Sequence, residues 1–410
     1  MTDEPPVELV DDDTRPRTMR DLVLSLGIPE ADADRAAADG TLGLLAISSF
    51  IFPGEALYTQ DEVMKLSGLG EDARRYWRAL GFPDPKPGER AFTQADVDVL
   101  HVVRQLVELG LVDSDVALQM GRVIGVSMAR IAAAQIDAVE ERVDATDLDT
   151  PLDASIDGTT PAVLRAGMLQ TTMPQILEYA WRRHLQNAAL RRMVRDAGAS
   201  AGESTGVAVG FADLVGFTAL AQQIDDHELA AVVDRFEQLA FDTVSARGGR
   251  IIKMIGDEVM FAVEEPSTAV EIGLALAEAY HDDEALSDVR VGIACGPVLE
   301  REGDLYGPTV NLASRIVSIA YEGSVVVSAD VHAALADQPG LQWKQLRTRN
   351  LKHIGREQLW TVRLADDDFE KETGRERARR RRGAVRDRVA DIAEKLPGLP
   401  HAGGTEGEQE

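Results

Sequence analysis

From residue 207 to residue 362 the chain alternates short apolar strands with amphipathic helices, and this order restricts the fold more than any other feature. Residues 207–212 form an apolar run of strand type. Residues 228–246 carry Leu229, Val232, Val233, Phe236, Leu239 and Ala240 at helical spacing, and Gly248-Gly249 ends the run. Residues 250–255 and 259–263 read as a hairpin with Gly256-Asp257-Glu258 at its tip. A helix (267–280), a strand (289–295), a helix (310–320) and a strand (325–328) follow. The order β-α-β-β-α-β predicts an α+β fold with a ferredoxin-like sheet.

Upstream the grammar is helical, from Arg20 to about Arg195, and predicts an all-α domain over 19–195. Within it, 59–109 reads as a helix-turn-helix-like segment. Thr59 caps a helix over 60–67, Gly68-Leu69-Gly70 turns the chain, and 71–80 is a second helix. A proline-rich loop leads to Thr93 and Asp96, which open a third helix over 94–109. Residues 144–161 read as an internal loop and 174–194 as a strong helix. Residues 196–206 are rich in Gly, Ser and Ala and predict a flexible linker between the two halves. The acidic residues 1–18 and the mixed-charge tail 364–410, with six arginines between Arg375 and Arg382, read as unstructured flanks.

Charge narrows the partners. Asp and Glu number 70 against 43 Lys and Arg, a net charge of −27, which repels nucleic acid and anionic membrane over long range. A phosphate-bearing substrate must then be captured by a local positive site or through metal. The single cysteine, Cys295, excludes an internal disulfide and fits a cytoplasmic setting. No targeting signal is expected in the acidic start. The most apolar run, 42–52, is too short to cross a bilayer, so no transmembrane segment is expected.

Two carboxylates point to chemistry. Asp213 closes the first strand and Asp257 sits at the tip of the hairpin, and in a ferredoxin-like sheet these elements are neighbours. Paired carboxylates beside a glycine-bearing backbone suit a two-cation phosphoryl-transfer site. Asn311 and Arg315 lie one helical turn apart, on one face. Lys253, between Ile252 and Met254, is expected by strand alternation to face away from both neighbours and from the metal carboxylates.

Three blocks make the reading specific: Phe-Ala-Asp-Leu-Val-Gly-Phe-Thr (211–218), Lys-Met-Ile-Gly-Asp-Glu-Val-Met (253–260) and Gly-Asp-Leu-Tyr-Gly-Pro-Thr-Val-Asn-Leu-Ala-Ser-Arg (303–315). In order and spacing they resemble the signature blocks of class III adenylate cyclases. The whole arrangement is similar to autoinhibited, acid-responsive mycobacterial holoenzymes of that family. The resemblance implies that ATP is converted to 3',5'-cyclic AMP and pyrophosphate at a homodimer interface, with two Mg²⁺ or Mn²⁺ ions per active site. It implies that Asp213, Asp257 and the backbone of Leu214 hold the metals. Lys253 and Asp304 would read adenine, Asn311 would orient the ribose, and Arg315 would stabilise charge at the α-phosphorus. Lys352 would touch the polyphosphate. It further implies restraint by the helical half, with His184 in the 174–194 helix available to titrate.

Two other readings compete. A diguanylate cyclase would carry a second glycine and an aromatic at the hairpin, which here reads Ile-Gly-Asp-Glu-Val. A DNA-binding regulator could use Arg74, Arg75 and Arg78 on the second helix of the helix-turn-helix-like segment. Glu71 and Asp72 dilute that charge, so stable nucleic-acid binding is not expected.

Overall fold

The computed structural model describes residues 19–25, 28–39, 42, 45, 55–140, 162–200, 206–283 and 285–365. The acidic start, the 144–161 loop and the arginine-rich tail expected from the sequence lie outside them. The chain divides into two compact units between Leu185 and Gln186.

In the first unit, the helices Gln60–Ser67, Glu71–Ala79 and Gln94–Glu108 form where expected. Thr59 accepts from the Glu62 N–H while Glu62 accepts from the Thr59 N–H, a reciprocal cap that satisfies two otherwise orphaned donors. A two-stranded ribbon, Tyr58–Thr59 with Arg90–Phe92, joins these helices, and Val63, Ala73, Phe92, Val97 and Leu100 make a small core beneath it. The three arginines of the second helix are already engaged. Arg74 pairs with Glu71 at 2.5 Å, Arg75 with Asp72 at 2.9 Å, and Arg78 with Asp84.

Two longer helices follow, Ser114–Glu140 and Ala162–Ser200. By length and composition alone Ser114–Asp137 could cross a bilayer, although it lies outside the most apolar run, 42–52. The second helix is longer than expected at both ends. It starts twelve residues before Pro174 and continues through Asp196–Ser200, where the sequence suggests a linker. Alanine and the helical run before them carry these residues into the helix despite Gly198.

The second unit is built on a seven-stranded sheet. Its elements are β1 (Val207–Leu214), α1 (Asp226–Ala246), β2 (Arg250–Ile255), β3 (Glu258–Val263), α2 (Pro266–Asp282), β4 (Val289–Gly296), α3 (Pro308–Ile319), β5 (Val325–Val327), β6 (Leu341–Gln345) and β7 (Trp360–Leu364). The strand order is β6-β7-β5-β4-β1-β3-β2, antiparallel except for β4 with β5. Its β4-β1-β3-β2 portion is the expected ferredoxin-like order. The β5-β7-β6 extension was not legible beyond β5.

Both sheet faces are covered. Ala208, Ala212 and Leu214 of β1 pack with Val232, Phe236 and Leu276 under α1 and α2, while Val207, Val209 and Phe211 pack with Ala313, Ile316 and Val317 of α3. That explains why β1 reads as a continuous apolar run rather than an alternating one. At Gly292 a Cβ would fall 2.3 Å from the Val317 backbone nitrogen and 2.9 Å from the Ala313 carbonyl, so only glycine lets α3 lie this close to β4. Backbone on the far side leaves nothing to give way. Gly292→Ala is expected to lower stability by at least about 1–3 kcal/mol, read as the denaturant midpoint. An unchanged midpoint would mean that α3 does not sit this close.

Candidate active site

The two aspartates meet at one end of the central strands. Asp213, next to last in β1, lies directly opposite Glu258 of β3 and Arg290 of β4. Leu214 donates its N–H to the Asp257 carbonyl at 2.9 Å, which ties the hairpin tip to the end of β1. Gly256, at φ 62°, makes that tip possible. Arg290 donates from Nε to Asp213 Oδ2 at 2.5 Å, and its Nη2 forms an ion pair with the same oxygen.

Three acids therefore share one place with a single arginine. Burial pushes the Asp257 carboxyl up from its ordinary value, and the charge of Asp213 adds to this. Glu258 is pushed up to about 7, first by burial and then by Asp213 and Asp257. The sign of the consequence is definite. Between about 4.5 and about 7 the folded chain keeps a proton on Glu258 that the unfolded chain releases, so stability falls as pH rises across that window and levels off above it. Without added divalent cation, Glu258→Gln is expected to flatten this part of the stability curve. Melts of both proteins from pH 4.5 to 8 test it, and identical slopes would refute it.

Lys253 and Asp304 also come together, at 2.6 Å between Nζ and Oδ2. Asp304 opens the second strand of the small hairpin Leu299–Arg301 with Asp304–Tyr306, and it also accepts from the Leu305 N–H at 2.8 Å. Despite partial burial, these hydrogen bonds leave the Asp304 carboxyl below its ordinary value.

The orientation of Lys253 corrects the sequence expectation. The β2–β3 register slips between Ile251 and Lys253, so Ile252 and Lys253 share a face instead of alternating. Lys253 stands opposite Met260, which is buried on the α3 side, and Asp213 belongs by alternation to that same side. Lys253 and Asp213 are therefore on one face of the sheet. A bulge has no clear signature in Arg-Ile-Ile-Lys-Met-Ile.

Asn311 and Arg315 are exposed on α3, whereas Ala313, Ile316 and Val317 of the same helix are buried against the sheet. Both site residues thus lie on the helix side away from the sheet. Lys352 is exposed in the turn between Arg349–Leu351 and Gly355–Glu357, beside His353, whose φ is 65°. The sequence reading missed Arg290 and Glu258 as members of the site. Only the register of β1 with its two neighbours places them beside Asp213.

Among the described residues no group of three or more His, Cys, Asp or Glu is arranged to hold a metal ion. The chain offers two aspartates and backbone carbonyls, a set that suits a hard cation sharing its remaining positions with water and substrate phosphates. The excess negative charge at Asp213, Asp257 and Glu258 fits such a cation.

Residues 200–365 match the family of adenylate and guanylate cyclase catalytic domains. An adenylate cyclase of Streptomyces coelicolor is 39% identical over 300 residues, covering 73% of this chain and 77% of that one. An adenylate cyclase of Streptomyces griseus is 38% identical, covering 69% of each chain. A pH-sensitive adenylate cyclase of Mycobacterium tuberculosis is 33% identical over 299 residues, 71% of this chain and 74% of its own. The chain belongs to the class III adenylate cyclases. These alignments are longer than the matched domain and everything after it, so the likeness continues into the N-terminal half.

Proposed function

We propose that this adenylate cyclase converts ATP to 3',5'-cyclic AMP by two-metal catalysis in a homodimer and that its N-terminal half restrains it. The observation that carries the catalytic reading is the Leu214–Asp257 backbone bond at 2.9 Å, which ties the hairpin tip bearing Asp257 to the strand end bearing Asp213. Asp213, Asp257 and the backbone of Leu214 would hold Mg²⁺ or Mn²⁺. Bound there, the ions would activate the ribose 3'-hydroxyl and neutralise the triphosphate.

The chain's own side chains do the rest. Lys253 Nζ donates to an adenine ring nitrogen and Asp304 accepts from the exocyclic amine, a pairing favoured by the adjacency of the two groups. Asn311 orients the ribose so that its 3'-oxygen faces the α-phosphorus. As that oxygen gives up its proton to solvent and bonds to phosphorus, the bond to the bridging oxygen breaks and pyrophosphate leaves. Arg315 stabilises the charge on the phosphoryl oxygens, and Lys352 contacts the polyphosphate.

Sharing of the site between two chains is supported by α3. Asn311 and Arg315 lie on the side of this helix turned away from the sheet that carries Asp213, and a second copy related by a two-fold axis could present them to it. The test of the reaction is incubation of purified protein with ATP or GTP and Mg²⁺ or Mn²⁺, with the cyclic product identified by mass spectrometry. Absence of cyclic AMP under all four conditions would refute the reading.

Restraint is assigned to residues 1–195, acting through the helix that enters the catalytic unit. A chain beginning near Gly206 should be more active at neutral pH, and the full chain should gain activity as the pH falls, with His184 as the candidate group. An activity ratio between the two proteins that stays flat from pH 5.5 to 8 would overturn this.

A further inference from the structure

Asp213 does not wait for a cation with an open carboxylate. Arg290 reaches it from the facing position of β4, donating from Nε to Oδ2 at 2.5 Å with Nη2 in ion-pair contact with the same oxygen. Backbone register keeps Arg290 within reach of Asp213 whenever the sheet is formed. The Asp213 side chain is only 15% exposed and that of Arg290 36%, so water screens the pair partly. Charge-assisted bonds of this kind are among the stronger hydrogen bonds, and their strength rises as water is excluded. The charge of Arg290 also acts favourably on Asp257 and Glu258.

We propose that Arg290 is the internal counter-ion of the resting site and that a divalent cation binds Asp213 by displacing it. This rests on the reading of Asp213 and Asp257 as metal ligands. Arg290 is then a positioning residue. It keeps three crowded acids folded when no cation is present, and it sets how much cation is needed to open the site. The exchange conserves charge roughly, because the arriving cation replaces a guanidinium rather than adding to it. Cation affinity is therefore lower than the two aspartates alone would give. Empty-site stability is correspondingly higher.

The experiment is Mn²⁺ titration of the full chain without nucleotide, followed by water-proton relaxation, for wild type, Arg290→Gln, Arg290→Lys, Asp213→Asn and the double variant Asp213→Asn/Arg290→Gln. Subtracting the Asp213→Asn curve removes Mn²⁺ held diffusely by the acidic surface. Arg290→Gln is expected to tighten the Asp213-dependent binding about tenfold, and Arg290→Lys to tighten it less, because lysine keeps the charge but not the fork. In the Asp213→Asn background Arg290→Gln should change nothing. The melting temperature without Mn²⁺ should fall in Arg290→Gln and be raised more by Mn²⁺ than in wild type.

Unchanged or weaker binding in both folded Arg290 variants overturns the proposal while leaving the metal reading intact. If Arg290→Gln does not fold, Arg290→Lys decides alone by the same criterion. Wild-type Mn²⁺ binding by Asp213→Asn overturns the metal reading itself, and the proposal with it.

Discussion

Asp213→Ala and Arg315→Ala chains, each expected to keep less than about a tenth of wild-type activity, should regain up to roughly a quarter when mixed and allowed to exchange subunits. Each substitution removes one of two contributions that the dimer reading places on different chains at a given site. In a mixed dimer one site inherits both lesions and the other inherits none. Random pairing makes half the dimers mixed, and each of those has one intact site. The loss in Asp213→Ala alone follows from removing one of the two carboxylates that gather at the end of β1 and the β2–β3 tip. Asp257→Ala should fail in the same way and complement Arg315→Ala equally. It should not complement Asp213→Ala, because those two residues act at the same site from the same chain. Exchange must be shown independently, for instance with differently tagged chains. No recovery despite exchange would leave each chain with a whole site of its own.

Nucleotide choice is the second large effect. Lys253 Nζ and Asp304 Oδ2 lie 2.6 Å apart, a donor beside an acceptor. Adenine presents an acceptor and a donor to such a pair, and guanine presents the reverse at the corresponding atoms. A buried polar group left unpaired costs about 1–3 kcal/mol, so two mismatches separate ATP from GTP by one to several powers of ten in kcat/KM. Lys253→Glu with Asp304→Cys should abolish the preference for ATP. In the resting chain the two groups satisfy one another, so ATP must draw on bonds already made. A single substitution at either position should therefore also expose its former partner. Comparable kcat/KM for ATP and GTP in the wild-type protein would remove these two residues from base recognition.

Much of the fold could be read directly. The order of apolar runs in 207–328 is local information, because strand and helix periods differ and glycines punctuate them. The β4-β1-β3-β2 order followed from that sequence of elements. The three motif blocks likewise carry Asp213, Lys253, Asp257, Asp304, Asn311 and Arg315 in short stretches whose spacing is visible without coordinates. Strands β6 and β7 were not legible, since Leu-Gln-Trp-Lys-Gln and Trp-Thr-Val-Arg-Leu acquire their meaning only by pairing with each other across an intervening hairpin. The 196–200 stretch misled in the other direction, because its small residues read as a linker while the helix before them carries the chain on to Ser200.

What the sequence determined by itself, then, is the family, the ferredoxin-like core and the identity of the residues that bear charge. Those depend on residue type and on neighbours within a turn or two. What only the tertiary structure decided is which charges meet and on which side of the sheet. A one-residue slip in β2 puts Lys253 on the face of Asp213, and the β1–β4 register sets Arg290 against that same aspartate. Register is a property of two strands at once, fixed by the packing of both faces rather than by either strand's own sequence.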